Sequence, residues 1–246
     1  MIEKRNIGFL EREHYNVQKV MDIAEEIIDE TKFLNVRILR KIVRKRLKLP
    51  RTIIIEIIEL LLNNKYLIEG SKHTRKTIMY NEYRRKIYNI IINNNGINFS
   101  LLRNKVFTNQ SGSTGQLIWH IKMLLKFKYI KKIKIKNATV FIPIDMEEEK
   151  GRFFFFLKDR INRKIIKHLN AYKQIKRSEI YKNIDEKRQN VYYRLNLLLE
   201  NNIILFKKGS DKILCISPDI KKIYNKIIET NQKIYKNKYN SNQIVE

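Results

Sequence analysis

The sequence predicts a mainly α-helical chain with small β-wings, built as three tandem helix–helix–turn–helix–hairpin units and closed by a C-terminal helix. Three observations predict it. One apolar stripe at positions 0, +4 and +7, the spacing of a buried helical face, occurs three times: Ile54, Ile58, Leu61; Leu117, Ile121, Leu124; and Val191, Leu195, Leu198. Each stripe leads into an apolar or aromatic pair that starts a hairpin, at Leu67-Ile68, Tyr129-Ile130 and Ile203-Ile204. The second and third copies also match upstream: Arg85-Lys86-Ile87 lies 78 residues before Arg163-Lys164-Ile165, as Ser100-Leu101-Leu102 does before Ser178-Glu179-Ile180. The stripes themselves are 74 apart, and the difference falls in the turn from Phe107 to Ser113, where insertions are tolerated.

In order, the first unit (residues 1–80) holds helices over Val17 to Thr31 and Asn35 to Leu47. Pro50 then opens a third helix, where its missing N–H is no loss. The central unit (81–145) has a helix from Glu82 to Asn93, stopped by Asn94-Asn95-Gly96, a second from Phe99 to Val106, and a third opened by the capping box Ser113-x-x-Gln116. Its wing turns at Asn137-Ala138. Glu147-Glu148-Glu149-Lys150-Gly151 reads as a linker. The third unit (153–216) places helices near 159–170, 178–183 and 186–201, with a wing turning at Lys208 to Asp211. In the last segment (217–246), Ser217-Pro218-Asp219 starts an amphipathic helix bearing Ile220, Ile223, Tyr224, Ile227 and Ile228.

Composition narrows the function. The 246 residues carry 52 Lys and Arg against 25 Asp and Glu, a net charge of +27, which calls for a polyanionic partner. Lys, Ile, Asn and Tyr are abundant, as an AT-rich genome would make them, but that bias would raise Glu as well as Lys. A single Cys215 excludes an intramolecular disulfide and a cysteine zinc site. The longest apolar run, Ile53 to Leu62, contains Glu56 and Glu59 and is too short to span a bilayer. Met1 to Leu10 has no apolar core of a signal peptide. A cytoplasmic protein without membrane insertion is expected.

The run Arg84-Arg85-Lys86-Ile87-Tyr88, Asn95-Gly96-Ile97-Asn98-Phe99 and Trp119-His120-Ile121-Lys122-Met123-Leu124, followed by a wing, resembles the archaeal winged helix-turn-helix transcriptional regulators. Their pattern is roughly R-x-x-I-x-x-x-I-x-x-N-P-G-I-x-F, then Y-H-L-x-x-L. Asn95 replaces the usual Pro, and Val191-Tyr192-Tyr193-Arg194-Leu195 is a weaker echo with Arg194 in place of His. The resemblance covers residues 81 to 216 and reaches the first unit only through architecture. It implies sequence-specific regulation of transcription, with the third helix in the major groove of double-stranded DNA and the wing on the backbone or minor groove. It carries over no effector and no target.

Charge separates the units. Residues 81–145 hold twelve cations against Glu82 and Asp145, whereas 1–80 hold seventeen against eleven acids and 146–216 seventeen against nine. In the central wing, strand alternation puts Lys132, Lys134 and Lys136 on one face and Ile133 and Ile135 inward. Such lysines bind phosphate or merely protect a strand edge. Base edges are read from the start of a recognition helix, which nominates Thr114, Gln116 and Ile118, with Lys122 further along. Gln116 could pair with adenine or serve only as a cap, and Ile118 could meet a thymine methyl. Trp119 and His120 are expected to be structural, the aromatic ring packing on the second helix. In the third unit Lys187, Arg188, Gln189 and Asn190 form either a reading surface or a solvated helix start. The first unit's third helix turns Glu56, Glu59 and Ile55 away from its stripe, which suits packing on protein better than on DNA. Arg37, Arg40, Lys41, Arg44, Lys45, Arg46 and Lys48 on its second helix leave backbone contact open.

An enzyme is not expected, nor a cofactor or metal. His14, His73, His120 and His168 lack ligand spacing, and Gly112-Ser113-Thr114-Gly115 lacks the Gly-Lys-[Ser/Thr] that completes a phosphate loop. The chain reads as a DNA-binding transcriptional regulator, with a homodimer through the C-terminal helix or the first unit; the apolar face of that helix is expected to bury either in the dimer or against the last unit. The rival from another class is a tandem winged-helix scaffold for protein complexes, like an ESCRT-II or transcription-machinery subunit. A nonspecific chromatin or RNA binder is a third reading, marked by salt dependence without sequence preference.

Overall fold

A computed structural model describes residues 14–107 and 113–241, with side chains to 229. The N-terminal residues 1–13, the turn segment 108–112 and the tail beyond 241 lie outside the described residues, and the expectations for Met1 to Leu10 and for most of the turn insertion fall there too. The chain is mainly α-helical with few short strands. It divides into two compact units, Met1–Asn94 with Asn98–Lys132, and Asn95–Ile97 with Ile133–Glu246.

In the first unit, α1 (His14–Thr31), α2 (Val36–Leu47) and α3 (Arg51–Asn63) close on a core of Val20, Ala24, Ile27, Leu39, Val43, Ile54, Ile57, Ile58 and Leu61. The predicted stripe of α3 is buried, and Ile57 and Leu60 widen it. Asn35 caps α2 by accepting from Ile38 N. The expected hairpin after α3 does not form. Lys65 and Gly70 take positive φ, Leu67 drops into the three-helix core, and the chain bonds Leu34 instead of a partner strand. There Gly70 N donates to Leu34 O and Leu34 N to Ser71 O, both at 2.8 Å. The segment then runs through turns to a 3-10 turn, Thr77–Tyr80. It is followed by α4 (Glu82–Asn93), β1 (Ile97–Asn98), α5 (Phe99–Val106) and α6 (Thr114–Lys126), where Ile87, Ile91, Leu102, Val106, Leu117, Ile121 and Leu124 are buried.

The central wing consists of β2 (Ile130–Ile135) and β3 (Ala138–Pro143), and the sheet order is β1-β3-β2. Its turn is Lys136-Asn137, one residue earlier than expected, because Lys136 adopts a left-handed φ of 51°. The supposed linker is also a helix, α7 (Glu148–Phe156). Phe153 and Phe156 bury against the core of the second unit, and Gly151 lies so near Ile142 that an added Cβ would stand 2.8 Å from its Cγ2. After it come α8 (Arg160–Tyr172), β4 (Ile175–Lys176), α9 (Arg177–Ile180), α10 (Arg188–Glu200), β5 (Ile204–Phe206), β6 (Ile213–Ile216) and α11 (Pro218–Ser241). This sheet runs β4-β6-β5, antiparallel, with Ile175 opposite Leu214 and Ile204 opposite Ile216.

The 78-residue correspondence extends to hydrogen bonds that residue patterning does not show. Asn81 caps α4 and Asp159 caps α8. Buried Arg84 donates from Nε to Ile78 O at 2.6 Å, and buried Asn162 donates from Nδ2 to Phe156 O at 3.0 Å. Arg85 reaches Met79 O and Tyr80 O, as Arg163 reaches Leu157 O and Lys158 O. In both places a side chain from the first helical turn ties down the segment entering it.

Among the described side chains of α11, most of the apolar face packs within its own unit. Ile220 is buried, and Ile223, Tyr224 and Ile227 pack on the second unit's own core, with the Tyr224 ring edge-on to Phe153 at 6.1 Å. These residues follow the alternative of packing against the last unit and lend no support to a homodimer.

Candidate nucleic-acid interface

On α6 every candidate is exposed, but the helix sorts them. Gly115, Ile118, Trp119, Lys122 and Lys126 recur at three- and four-residue spacings and form the outward face. Thr114 stands at the helix start. Gln116 lies off this face and completes the capping box: Ser113 Oγ accepts from Gln116 N at 3.1 Å, and Gln116 Oε1 accepts from Ser113 N at 3.4 Å. Pairing bidentately with adenine would require that carbonyl oxygen, so capping and base reading compete for one atom.

Trp119 departs from expectation. It is half exposed and packs over the guanidinium of Arg84 from α4, at 5.6 Å, and edge-on to His120 at 4.9 Å. His120 stacks on Tyr83 at 4.9 Å, and its Nδ1 is buried with no hydrogen-bond partner. Burial first, and the neighbouring Arg84 charge second, lower its pKa and keep the ring neutral. His120 is a packing residue, whereas Trp119 shares the solvent face with the candidates.

Gly115 has no signal in the sequence pattern. It lies in the first turn of α6, its φ is not in the left-handed region, and among the described residues an added Cβ would meet only Ser113 Oγ, at an ordinary 3.7 Å. Among the described residues nothing requires glycine there, although glycine weakens a helix.

In the wing, Lys132 and Lys134 are exposed between buried Ile133 and Ile135. Lys136 is corrected: it sits in the turn, outside the strand alternation, and binds Glu200 at 2.8 Å. Two of the three wing lysines thus retain the expected strand geometry.

In the second unit, Lys187, Arg188, Gln189 and Asn190 are all exposed at the start of α10. No side chain caps this helix, and its first turn holds no acid. Its opening N–H groups and two cations consequently gather positive charge. Arg188 lies over the rings of both Tyr181 and Tyr192, at 5.2 and 5.3 Å, which themselves pack at 6.2 Å, and Arg177 lies over Tyr192 at 5.5 Å. The four-residue step Arg188–Tyr192 is a sequence signal for part of this cluster. Glu186, just before the helix, is occupied by Lys164 and Arg160, at 2.8 and 2.6 Å. The Lys164 hydrogen bond leads in lowering its pKa. Lys207, Lys208 and Lys212 flank the second wing's turn and are exposed, further cations that the sequence pattern does not single out.

Among the described residues no group of His, Cys, Asp or Glu could hold a metal, and no helix is long and apolar enough to cross a membrane.

No family model matches the chain. Over 152 residues it is 30% identical to an uncharacterized HTH-type transcriptional regulator of Methanocaldococcus jannaschii. The match takes in 53% of this chain and 37% of that protein, so the chain spans under two fifths of its relative's length. A solved structure of the ESCRT-II endosomal trafficking complex aligns over 89% of this chain and 96% of its own, at 11% identity and a TM-score of 0.24, too distant to bear on fold or function.

Proposed function

We propose that the chain is a DNA-binding transcriptional regulator of three tandem helix-turn-helix units, at 1–80, 81–145 and 153–216, followed by the segment 217–246 that carries the C-terminal helix and tail. In this reading α6 and α10 each enter a major groove, while Lys132 and Lys134 hold the backbone. The observation that carries it is the start of α10. Lys187, Arg188, Gln189 and Asn190 are exposed on an uncapped helix end, where an acid or a serine would serve the fold better. An approaching phosphate or base edge supplies what the fold leaves out. Gly115 on α6 and similarity to a protein described as an HTH-type regulator add support.

On α6 the proposed contacts are Ile118, Trp119 and Lys122, with Thr114 at the helix start and Gln116 contributing only by surrendering its cap. On α10 they are Lys187, Arg188, Gln189 and Asn190. A scaffold role draws on α3, whose outward residues Glu56 and Glu59 would oppose phosphates. Selection from randomised duplexes tests the two readings together. A regulator yields a consensus that relaxes at one sub-site in Ile118→Ala with Lys122→Ala, and at another in Arg188→Ala with Asn190→Ala. Removing one base contact costs about 1–3 kcal/mol on the selected site. Failure to bind any duplex at low salt would leave the scaffold.

A further inference from the structure

Arg37, Arg40, Lys41, Arg44 and Lys45 on α2, with Lys48 at its C-cap, follow one another at steps of three, one, three, one and three residues, and the five within the helix have the spacing of a single helical face. All six are exposed, opposite Leu39 and Val43, which are buried in the α1–α3 core. None of the six has an ion-pair partner among the described residues. The helix's remaining cation, Arg46, points the other way and pairs with Glu26.

Helix stability does not explain the stripe. Cations near a helix C-terminus favour the macrodipole, which accounts for Arg44, Lys45 and Lys48. Arg37, Arg40 and Lys41 occupy the opposite half, where Arg37 in the first turn opposes it. Every neighbour along the stripe is also a like charge at i+3 or i+4, which weakens a helix. A solvated face would mix signs; this one has one sign along a twelve-residue helix, about 18 Å in length.

We infer that α2 is a binding face for the phosphate backbone of duplex nucleic acid, separate from α6, the central wing and α10. A duplex carries about one negative charge per 1.7 Å of axis, so a cationic rod of this length always has phosphates within reach. A lipid surface fits less well, because interfacial helices insert an apolar face and that of α2 is already buried. The stripe carries no aromatic anchor of the kind that dominates protein interfaces.

The test uses the full chain with two sets of substitutions, each removing four charges from exposed residues of the first unit. One set is Arg40→Gln, Lys41→Gln, Arg44→Gln and Lys45→Gln; the control is Lys19→Gln, Lys32→Gln, Lys65→Gln and Lys72→Gln. Circular dichroism checks that both remain folded. Duplex affinity is then measured from about 50 to 200 mM salt, and sites are selected from random duplexes. The α2 set should lower the log–log salt slope by about 2–4, at about 0.9 for each phosphate no longer neutralised, and leave any consensus unchanged. The control set should lower it by less than about 1.

Equal effects of the two sets, or no effect of the α2 set, would overturn the inference. So would a shifted consensus, or a loss confined to binding of phosphatidylserine vesicles. The inference stands or falls apart from the reading of α6 and α10. If those helices prove silent while the α2 set still flattens the salt slope, only the assignment of the reading helices fails.

Discussion

Gly115→Ala should move stability and DNA binding in opposite directions. The position is in the first turn of α6, φ is ordinary, and the new Cβ finds Ser113 Oγ at 3.7 Å, plain van der Waals contact. Replacing glycine by alanine in a helix contributes about 0.5–1 kcal/mol. For a chain of this size that raises Tm by about 1–4 °C. If the outward face of α6 lies in a groove, the same methyl group enters a packed interface and overpacking costs about 1–3 kcal/mol, roughly 5- to 150-fold in Kd. Differential scanning fluorimetry and fluorescence anisotropy on the selected duplex provide the two readouts. A higher Tm with unchanged Kd would refute the placement of α6 against DNA. A lower Tm would refute the claim that the fold does not need this glycine.

Among the wing lysines, Lys132→Ala with Lys134→Ala should weaken binding to all duplexes alike and reduce the salt slope by about 2, about one unit per phosphate. Lys136→Ala should change it by much less, because its charge is already paired with Glu200; equal slopes for Lys134→Ala and Lys136→Ala would reject this distinction. Ile223→Asp with Ile227→Asp should place carboxylates against the second unit's core and lower its stability by about 2 kcal/mol or more. Sedimentation should be unchanged, and dissociation of a dimer into well-folded monomers would support the dimer instead. Burial holds His73, His120 and His168 below their ordinary pKa, so as pH falls below about 7 the unfolded chain takes up protons that the folded chain refuses. Thermal stability should therefore fall between about pH 7 and 5, and a flat profile in that window would contradict the burial of these rings.

What could be read from residues alone follows from which features have a period. The three stripes repeat every three to four residues and all three are buried on helices, of which only α6 has a side-chain cap, from Ser113. Strand alternation likewise placed Ile133 and Ile135 inward. Helix α7 was hidden because Glu147 to Gly151 resembles a linker and Phe153 to Phe156 is apolar without a stripe. Only packing against Ile142 selects a helix there. The wing turn was misplaced because a lysine in a left-handed conformation has no compositional signature, and that single residue removed Lys136 from the strand. At the candidate site, the charged start of α10 was visible as a run of polar residues. Arg84 was not, since an arginine within Arg84-Arg85-Lys86 looks like surface. Its burial rests on Ile78 O, which no local pattern announces.

The two candidate reading helices begin differently. The start of α6 is closed by Ser113 and Gln116, whereas Lys187 stands at the N-cap of α10 with no side-chain bond to the first N–H groups. A cation at that position forgoes a cap worth about 1 kcal/mol and opposes the helix dipole. Lys187→Asp should supply both missing interactions, raising stability by about 1–2 kcal/mol and Tm by a few degrees. It should also place a carboxylate where the proposal puts a phosphate, replacing one counterion-releasing cation with a repulsive group. Duplex affinity at about 0.1 M salt should then fall at least roughly tenfold, with the salt slope shallower by about 1. Lys187→Ser separates cap from charge: it should keep most of the stabilisation, give up only the attraction to phosphate and weaken binding less than the aspartate does. If both variants gain stability and bind as tightly as the parent, the start of α10 faces solvent and its four polar residues are a solvated helix end.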